Sequence, residues 1–234
     1  MSTVHRDPFH AVILPRLVLV ADRFASGRPG MPADAVRARV REAVHAGVAW
    51  VHLRDYGADD AAFAAAAPRF ADELRELEPS LMLSVSRRAD LARALGAGVH
   101  TGRGGPHVAE ARAAVGPLQP VGYSAHDPEE ACAAAEEGAD YVYLGPIYST
   151  TSHPDRPPLG LEVLREACLA AQPVPVYAIG GITPERAAAV HAAGAYGAAV
   201  LRGVLDAPDA GAAVAAFLRA LRPPSATLDH PIHA

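Results

Sequence analysis

Short β-rich runs alternate with alanine-rich helical stretches along nearly the whole chain, and this alternation restricts the fold more than any other feature. Strands are expected near residues 17–22, 49–55, 81–86, 98–103, 120–126, 140–147, 174–180 and 196–202. Helices are expected near 33–47, 58–77, 89–97, 107–115, 128–138, 161–171, 184–193 and 209–221. A helix that follows each strand can bury its apolar face by lying back on a parallel sheet. Eight such units in 234 residues predict one α/β domain closed as a (β/α)8 TIM barrel, with an open doubly wound sheet as the second choice. Gly47, Gly96, Gly138 and Gly194 stand where helices would end. The barrel is expected over residues 16–222, between an N-terminal extension (1–15) and a C-terminal tail (223–234), both containing Pro and His.

Composition narrows the function classes. Half of the residues are hydrophobic, yet no apolar run approaches the roughly 18 residues of a membrane span. No signal-peptide pattern opens the chain, so a cytoplasmic protein without a membrane partner is expected. A net charge of −5 and the lack of a basic stretch interleaved with aromatics argue against a nucleic-acid partner. All 21 basic residues are arginine, a bias that a high-GC genome would produce without any function. It has a chemical consequence all the same: a lysine Schiff base is excluded, and cationic ligand contacts must come from Arg or His. Cys132 and Cys168 fall in expected helices without metal-like spacing and read as buried thiols.

Candidate site residues follow from the strand ends, because a barrel of this kind carries its chemistry on the loops after its strands. In "YAIGGITPERAAAVHAAGA", residues 177–195, Gly180 and Gly181 join a strand to a helix whose N-cap would be Thr183 and whose first residue would be Pro184. Such a junction either offers backbone N–H groups to an anion or is simply a tight turn. Strand alternation puts Gly122, Ser124 and His126 on one inner face, and His52 and Arg54 on another, while His100 is expected to point elsewhere. The 148–160 loop, "YSTTSHPDRPPLG", is long and rich in hydroxyls; it either closes over a ligand, bringing Thr150 and Ser152 to it, or is a stiff surface loop.

These junctions resemble the thiamine phosphate synthase and TenI superfamily of barrels. The resemblance rests on "WVHLRD", "DLARALGAGVHTG", "VGYSAHDPEEA", "ADYVYLGPIYSTTSHPDRPPLGLEVL" and "VPVYAIGGITPERAAAVHAAGAYGAAVLRGVL", with Asp22 at the end of the first strand. It implies a phosphate cup for a thiazole phosphate formed by Gly180, Gly181, Leu201, Arg202 and Gly203. Arg202 stands where the family usually has serine, and its guanidinium could add a bidentate contact to the phosphate.

The departures from the pattern steer the expected activity. A synthase of this family joins a pyrimidine diphosphate to a thiazole phosphate and uses Mg²⁺, but its two metal-binding aspartates fall here on Ser86-Arg87-Arg88 and on Gly104-Gly105. Its lysines align with Tyr56 and His153. The resemblance therefore points to the TenI branch: a metal-free thiazole tautomerase, an isomerase without cofactor, in which His126 and His52 carry the proton. Arg54, Ser124, Thr150, Ser152 and Arg87 would contact substrate, Arg87 by holding a carboxylate. The alternatives are the synthase itself, with Arg87, Arg103 and His153 in place of Mg²⁺, and a non-catalytic binder of phosphate ligands. A homo-oligomer is a family-level expectation only.

Overall fold

Eight parallel strands close into a barrel in chain order, the eighth pairing with the first. The computed structural model describes residues 13–152 and 154–222. The elements are β1 (Leu17–Asp22), α1 (Ala33–His45), β2 (Trp50–Arg54), α2 (Asp60–Leu77), β3 (Met82–Ser86), α3 (Ala89–Ala94), β4 (Gly98–Gly102) and α4 (Val108–Val115). There follow β5 (Val121–Ala125), α5 (Pro128–Glu136), β6 (Tyr141–Leu144), α6 (Gly160–Ala170), β7 (Val176–Ile179), α7 (Pro184–Ala192), β8 (Gly197–Val200), α8 (Arg202–Leu205) and α9 (Ala210–Ala220). This is the expected (β/α)8 TIM barrel.

The helices form where apolar spacing and caps agree. In α1 the buried Val36, Val40, Ala43 and Val44 fall on one face. Helix α2 begins at Asp59, whose carboxylate accepts from the Ala62 N–H, and Asp127 caps α5 by accepting from the Glu130 N–H. The four glycines expected at helix ends all have positive φ. Three local expectations need correction. Several strands stop earlier than expected, β6 at Leu144 and β7 at Ile179, because the Gly-Pro and Gly-Gly that follow leave the ladder to build loops. The eighth strand, expected over 196–202, ends at Val200, and Arg202 instead begins the one-turn α8. Cys132 and Cys168 are half-buried rather than fully buried, and burial raises the Cys168 thiol to about 11.

Two apolar layers result. One lies between barrel and helices; the other fills the barrel with Val18, Val20, Trp50, Tyr141, Tyr143, Tyr177 and Ala199. Trp50 meets Tyr141 edge-to-face with ring centroids 4.7 Å apart, and Tyr177 at 5.6 Å. Room for Tyr141 comes from Gly122 on the next strand, where a Cβ would lie 2.1 Å from the tyrosine Cζ. The entering chain seals the lower end: the Tyr177 hydroxyl donates to the Pro15 carbonyl at 2.8 Å, and the Tyr196 hydroxyl to that of Leu14 at 2.6 Å. Barrel contents are thus packed below and open above. The rest of the extension (1–12) and the tail (223–234) lie outside the described residues.

Candidate active site

A cavity of about 470 Å³ opens at the C-terminal ends of the strands, the end where such barrels carry their sites. Its floor is a buried polar layer on top of the aromatic plug. Ser84 receives the Trp50 indole N–H at 3.0 Å and bonds His52 Nδ1 at 2.9 Å. His100 bonds Ser124 Oγ through Nε2 at 2.7 Å and the Tyr141 hydroxyl through Nδ1 at 3.2 Å, and it stacks on Tyr143 at 4.2 Å.

His100 therefore faces inward, against expectation. Parallel neighbours in register share a face, and His100 is paired with Ser86 on one side and Gly122 on the other. The flanking Gly98 and Gly102, on the same face, carry no side chain to fill that space. Burial is the main reason that both histidines are held neutral. It lowers His100 to about 3, helped by the charge of Arg54, and puts His52 well below the ordinary imidazole range, helped by His100 and Arg54. Burial also raises the Tyr143 phenol well above its usual range. The buried Tyr143 hydroxyl interacts with that of Tyr141 beside it.

The wall is cationic. Arg54, Arg87, Arg103, Arg156, Arg186 and Arg202 line the cavity, and no Asp or Glu is among its described lining residues. Carboxylates lie behind some of them: Asp22 pairs with Arg54 at 3.3 Å, Glu130 with Arg103, and Asp206 with Arg202 at 3.8 Å. Arg186 lies over the Tyr148 ring and donates to the Gly181 carbonyl at 2.8 Å. Arg87 has φ of +62°, uncommon for a residue with a side chain, and donates from Nη2 to the Arg103 carbonyl at 2.8 Å. Arg23 has a similar φ of +66° and lines a second cavity of about 540 Å³, beside Asp22 and Arg28, which shares Arg54 and Arg202 with the first.

Buried Asp55, just after β2, fixes the rim. Its carboxylate accepts from the N–H groups of Ala25, Ser26, Gly57 and Ala58 and from the Ser26 hydroxyl, tying two loops together. Burial alone would raise its pKa; the bonds from Ser26, Gly57 and Ala25 more than offset this and the group ends below its ordinary value.

Gly180 and Gly181 have φ of +93° and +65°, and a Cβ on either would come within 2.7 Å of the 146–149 segment. The pair is required by the close approach of that loop as well as by the left-handed backbone. Beside it, Leu201, Arg202 and Gly203 close the cavity wall where β8 turns into α8. Thr183 is the N-cap position of α7 with Pro184 first in the helix, but its side chain makes no capping bond. His126 reaches the cavity from the end of β5, and Glu130 Oε2 accepts from its backbone N–H at 2.8 Å and pairs with Nδ1 at 3.1 Å.

The expected catalytic and substrate-binding residues are brought to this one cavity: His126, His52, Gly180, Gly181, Leu201, Arg202, Gly203, Arg54, Ser124, Thr150, Ser152 and Arg87. His153 lies outside the described residues. Sequence reasoning missed His100 and Tyr143 on the floor and Arg156 and Arg186 on the wall. The paired glycines around His100 were the available signal for its direction; nothing local marks Arg156.

Comparison with known proteins fits this arrangement. Residues 18–204 match the family described as thiamine monophosphate synthase. The chain is 49% identical over 143 residues to the thiamine biosynthesis bifunctional protein ThiM/ThiE of Symbiobacterium thermophilum, covering 60% of this chain and 30% of that protein. It is 38% identical to the thiamine-phosphate synthase of Roseiflexus castenholzii, covering 85% of each. The matches span between 30% and 55% of the length of the first three curated relatives. A solved thiamine phosphate pyrophosphorylase from Pyrococcus furiosus superposes with a TM-score of 0.74 at 28% identity, covering 88% of this chain and 95% of that one.

These relatives overturn the expected tautomerase. Proteins 36–40% identical to the chain are named thiamine-phosphate synthases, which are transferases, not isomerases. The acid/base roles expected of His126 and His52 belonged to that isomerase reading. The isomerase expectation rested on two missing carboxylates, and the cavity wall carries Arg54, Arg87 and Arg103 in their neighbourhood.

Proposed function

The chain belongs to the thiamine monophosphate synthase family, and on that premise we propose that it joins a thiazole phosphate to hydroxymethylpyrimidine diphosphate, releasing pyrophosphate. The observation that carries this reading is the run of relatives named thiamine-phosphate synthase at 36–40% identity. An arginine-lined cavity at the catalytic end of the barrel supports it, since both substrates are phosphate esters.

The chemistry asks little proton movement of the protein. The bond from the pyrimidine methylene carbon to the diphosphate oxygen breaks, its electron pair leaving on pyrophosphate. The thiazole nitrogen supplies its lone pair to the same carbon, giving the thiazolium of the product. Catalysis therefore consists of alignment and of stabilising the charge that grows on the leaving group. The cup of Gly180, Gly181, Leu201, Arg202 and Gly203 takes the thiazole phosphate. The floor of His52, His100 and Tyr143 takes the flat pyrimidine. Its imidazoles, uncharged through burial, act as polar and stacking groups, and a ring nitrogen would meet the Tyr143 hydroxyl. Ser124, Thr150 and Ser152 add polar contacts, while Arg54, held by Asp22, faces the diphosphate.

The resemblance implies Mg²⁺, and the donor set does not fit it. Mg²⁺ takes hard oxygen ligands, often one or two carboxylates with substrate phosphates. The positions concerned carry the Arg87 guanidinium and two glycines, and the described residues contain no group of three His, Cys, Asp or Glu able to hold a metal. No step is therefore assigned to a metal.

The test is to incubate the purified protein with both substrates and oxidise samples to fluorescent thiochrome. Thiamine phosphate accumulating with wild type, and at least about 100-fold more slowly with Arg54→Ala, is the expected result. Absence of thiochrome fluorescence with wild type would reject the proposal.

A further inference from the structure

We propose that Arg87 and Arg103 hold the diphosphate of the substrate directly, in the role that a carboxylate-bound divalent cation would otherwise fill. This inference rests on the transferase reading above and goes beyond it.

Three observations carry it. The loops after β3 and β4 meet at the cavity wall: the Arg87 guanidinium donates to the Arg103 carbonyl at 2.8 Å, and a Cβ on Gly105 would lie 3.6 Å from Arg87 Cγ. The two positions where the resemblance expects metal-binding aspartates are therefore neighbours in space, and together they present a guanidinium and no anionic oxygen.

The second observation is charge. Of the six arginines lining the cavity, Arg54, Arg103 and Arg202 have carboxylate partners and Arg186 feels the charge of exposed Glu185 beside it, whereas Arg87 and Arg156 have none among the described residues. An excess of positive charge faces a space without a carboxylate. A dication would be repelled there, and a polyanion such as a diphosphate drawn in.

The third is positioning. Arg103 is held by Glu130, whose other carboxylate oxygen accepts the His126 N–H, so its guanidinium is tied to the start of α5. Arg87 occupies a left-handed backbone that a residue with a side chain adopts only when its surroundings impose it, and such strain gathers at ligand sites. Guanidinium groups suit the task because each can give two parallel N–H bonds to phosphate oxygens.

The experiment titrates the protein with inorganic pyrophosphate by calorimetry, in EDTA and then with excess Mg²⁺, for wild type, Arg87→Gly and Arg103→Gln. Glycine at position 87 removes the guanidinium and relieves the positive φ, so this variant is expected to fold at least as well as wild type. The proposal expects binding in EDTA that Mg²⁺ does not strengthen and that either substitution weakens by about tenfold or more. Binding that requires Mg²⁺, or binding in EDTA that neither substitution changes, would overturn it. Turnover is scored separately. Thiamine phosphate formed only when Mg²⁺ is present also overturns the proposal while leaving the transferase reading intact. No product under either condition, with metal-free pyrophosphate binding retained, overturns the transferase reading alone.

Discussion

Acidification from pH 6.5 to 5 should destabilise the fold through the histidines beneath the cavity. His100 is fully buried, stacked on Tyr143 and hydrogen-bonded to Ser124 and Tyr141, and its pKa falls to about 3. In the unfolded chain the same group titrates near 6.5. Between these values the unfolded state binds a proton that the folded state refuses, so stability rises with pH across the window and is lost as pH falls. The slope for one group grows from half of about 1.36 kcal/mol per pH unit at pH 6.5 to nearly the full value at pH 5, which integrates to somewhat under about 2 kcal/mol. His52 adds a loss of the same sign, because burial also holds its pKa well down. For a chain of this size 2 kcal/mol corresponds to a fall in Tm of roughly 4–8 °C. Asp55 and Glu130, whose carboxyls are lowered, lose their contribution only as pH drops below the ordinary carboxyl range, outside this window. The assay is urea unfolding at several pH values for wild type and His100→Gln. Wild type should lose somewhat under about 2 kcal/mol more than the variant over the window. Equal slopes for the two proteins would refute the reasoning.

Two further substitutions probe the rim and the cup. Asp55→Asn leaves five donors facing an amide with one acceptor oxygen, and should lower unfolding free energy by about 3 kcal/mol in urea titrations at pH 7. Gly181→Ala places a Cβ 2.7 Å from the Ser149 carbonyl at a φ of +65°. In steady-state kinetics it should raise KM for the thiazole phosphate about tenfold or more, with a smaller change for the diphosphate substrate.

The barrel was legible because its signal is periodic: apolar runs of strand length separated by alanine-rich helices with terminal glycines. The site was legible at strand ends, where Arg54 and Ser124 lie in the expected direction. It failed where direction depends on register. A strand in a closed parallel barrel is buried on both faces, so Val99 and His100 in "GVHTG" are equally enclosed and alternation does not tell inside from outside. Pairing with Ser86 and Gly122 decides it, and that is a property of three strands together. The arginine wall was hidden for a related reason. Arg87, Arg103 and Arg156 come from loops and Arg186 and Arg202 from helix starts, each after a different strand, and only closure of the barrel gathers them. The sequence alone showed what was missing after β3 and β4, and the loss of two carboxylates suggested the wrong reaction.

The central claim is that one bond to diphosphate is exchanged for one bond to the thiazole nitrogen. Phosphorus-31 NMR of a single reaction tube, containing the protein and both substrates, follows this directly. The account predicts that the diphosphate ester signals give way to free pyrophosphate in step with one equivalent of thiamine phosphate per pyrophosphate. Ester signals that persist, or pyrophosphate released without thiamine phosphate, would contradict it.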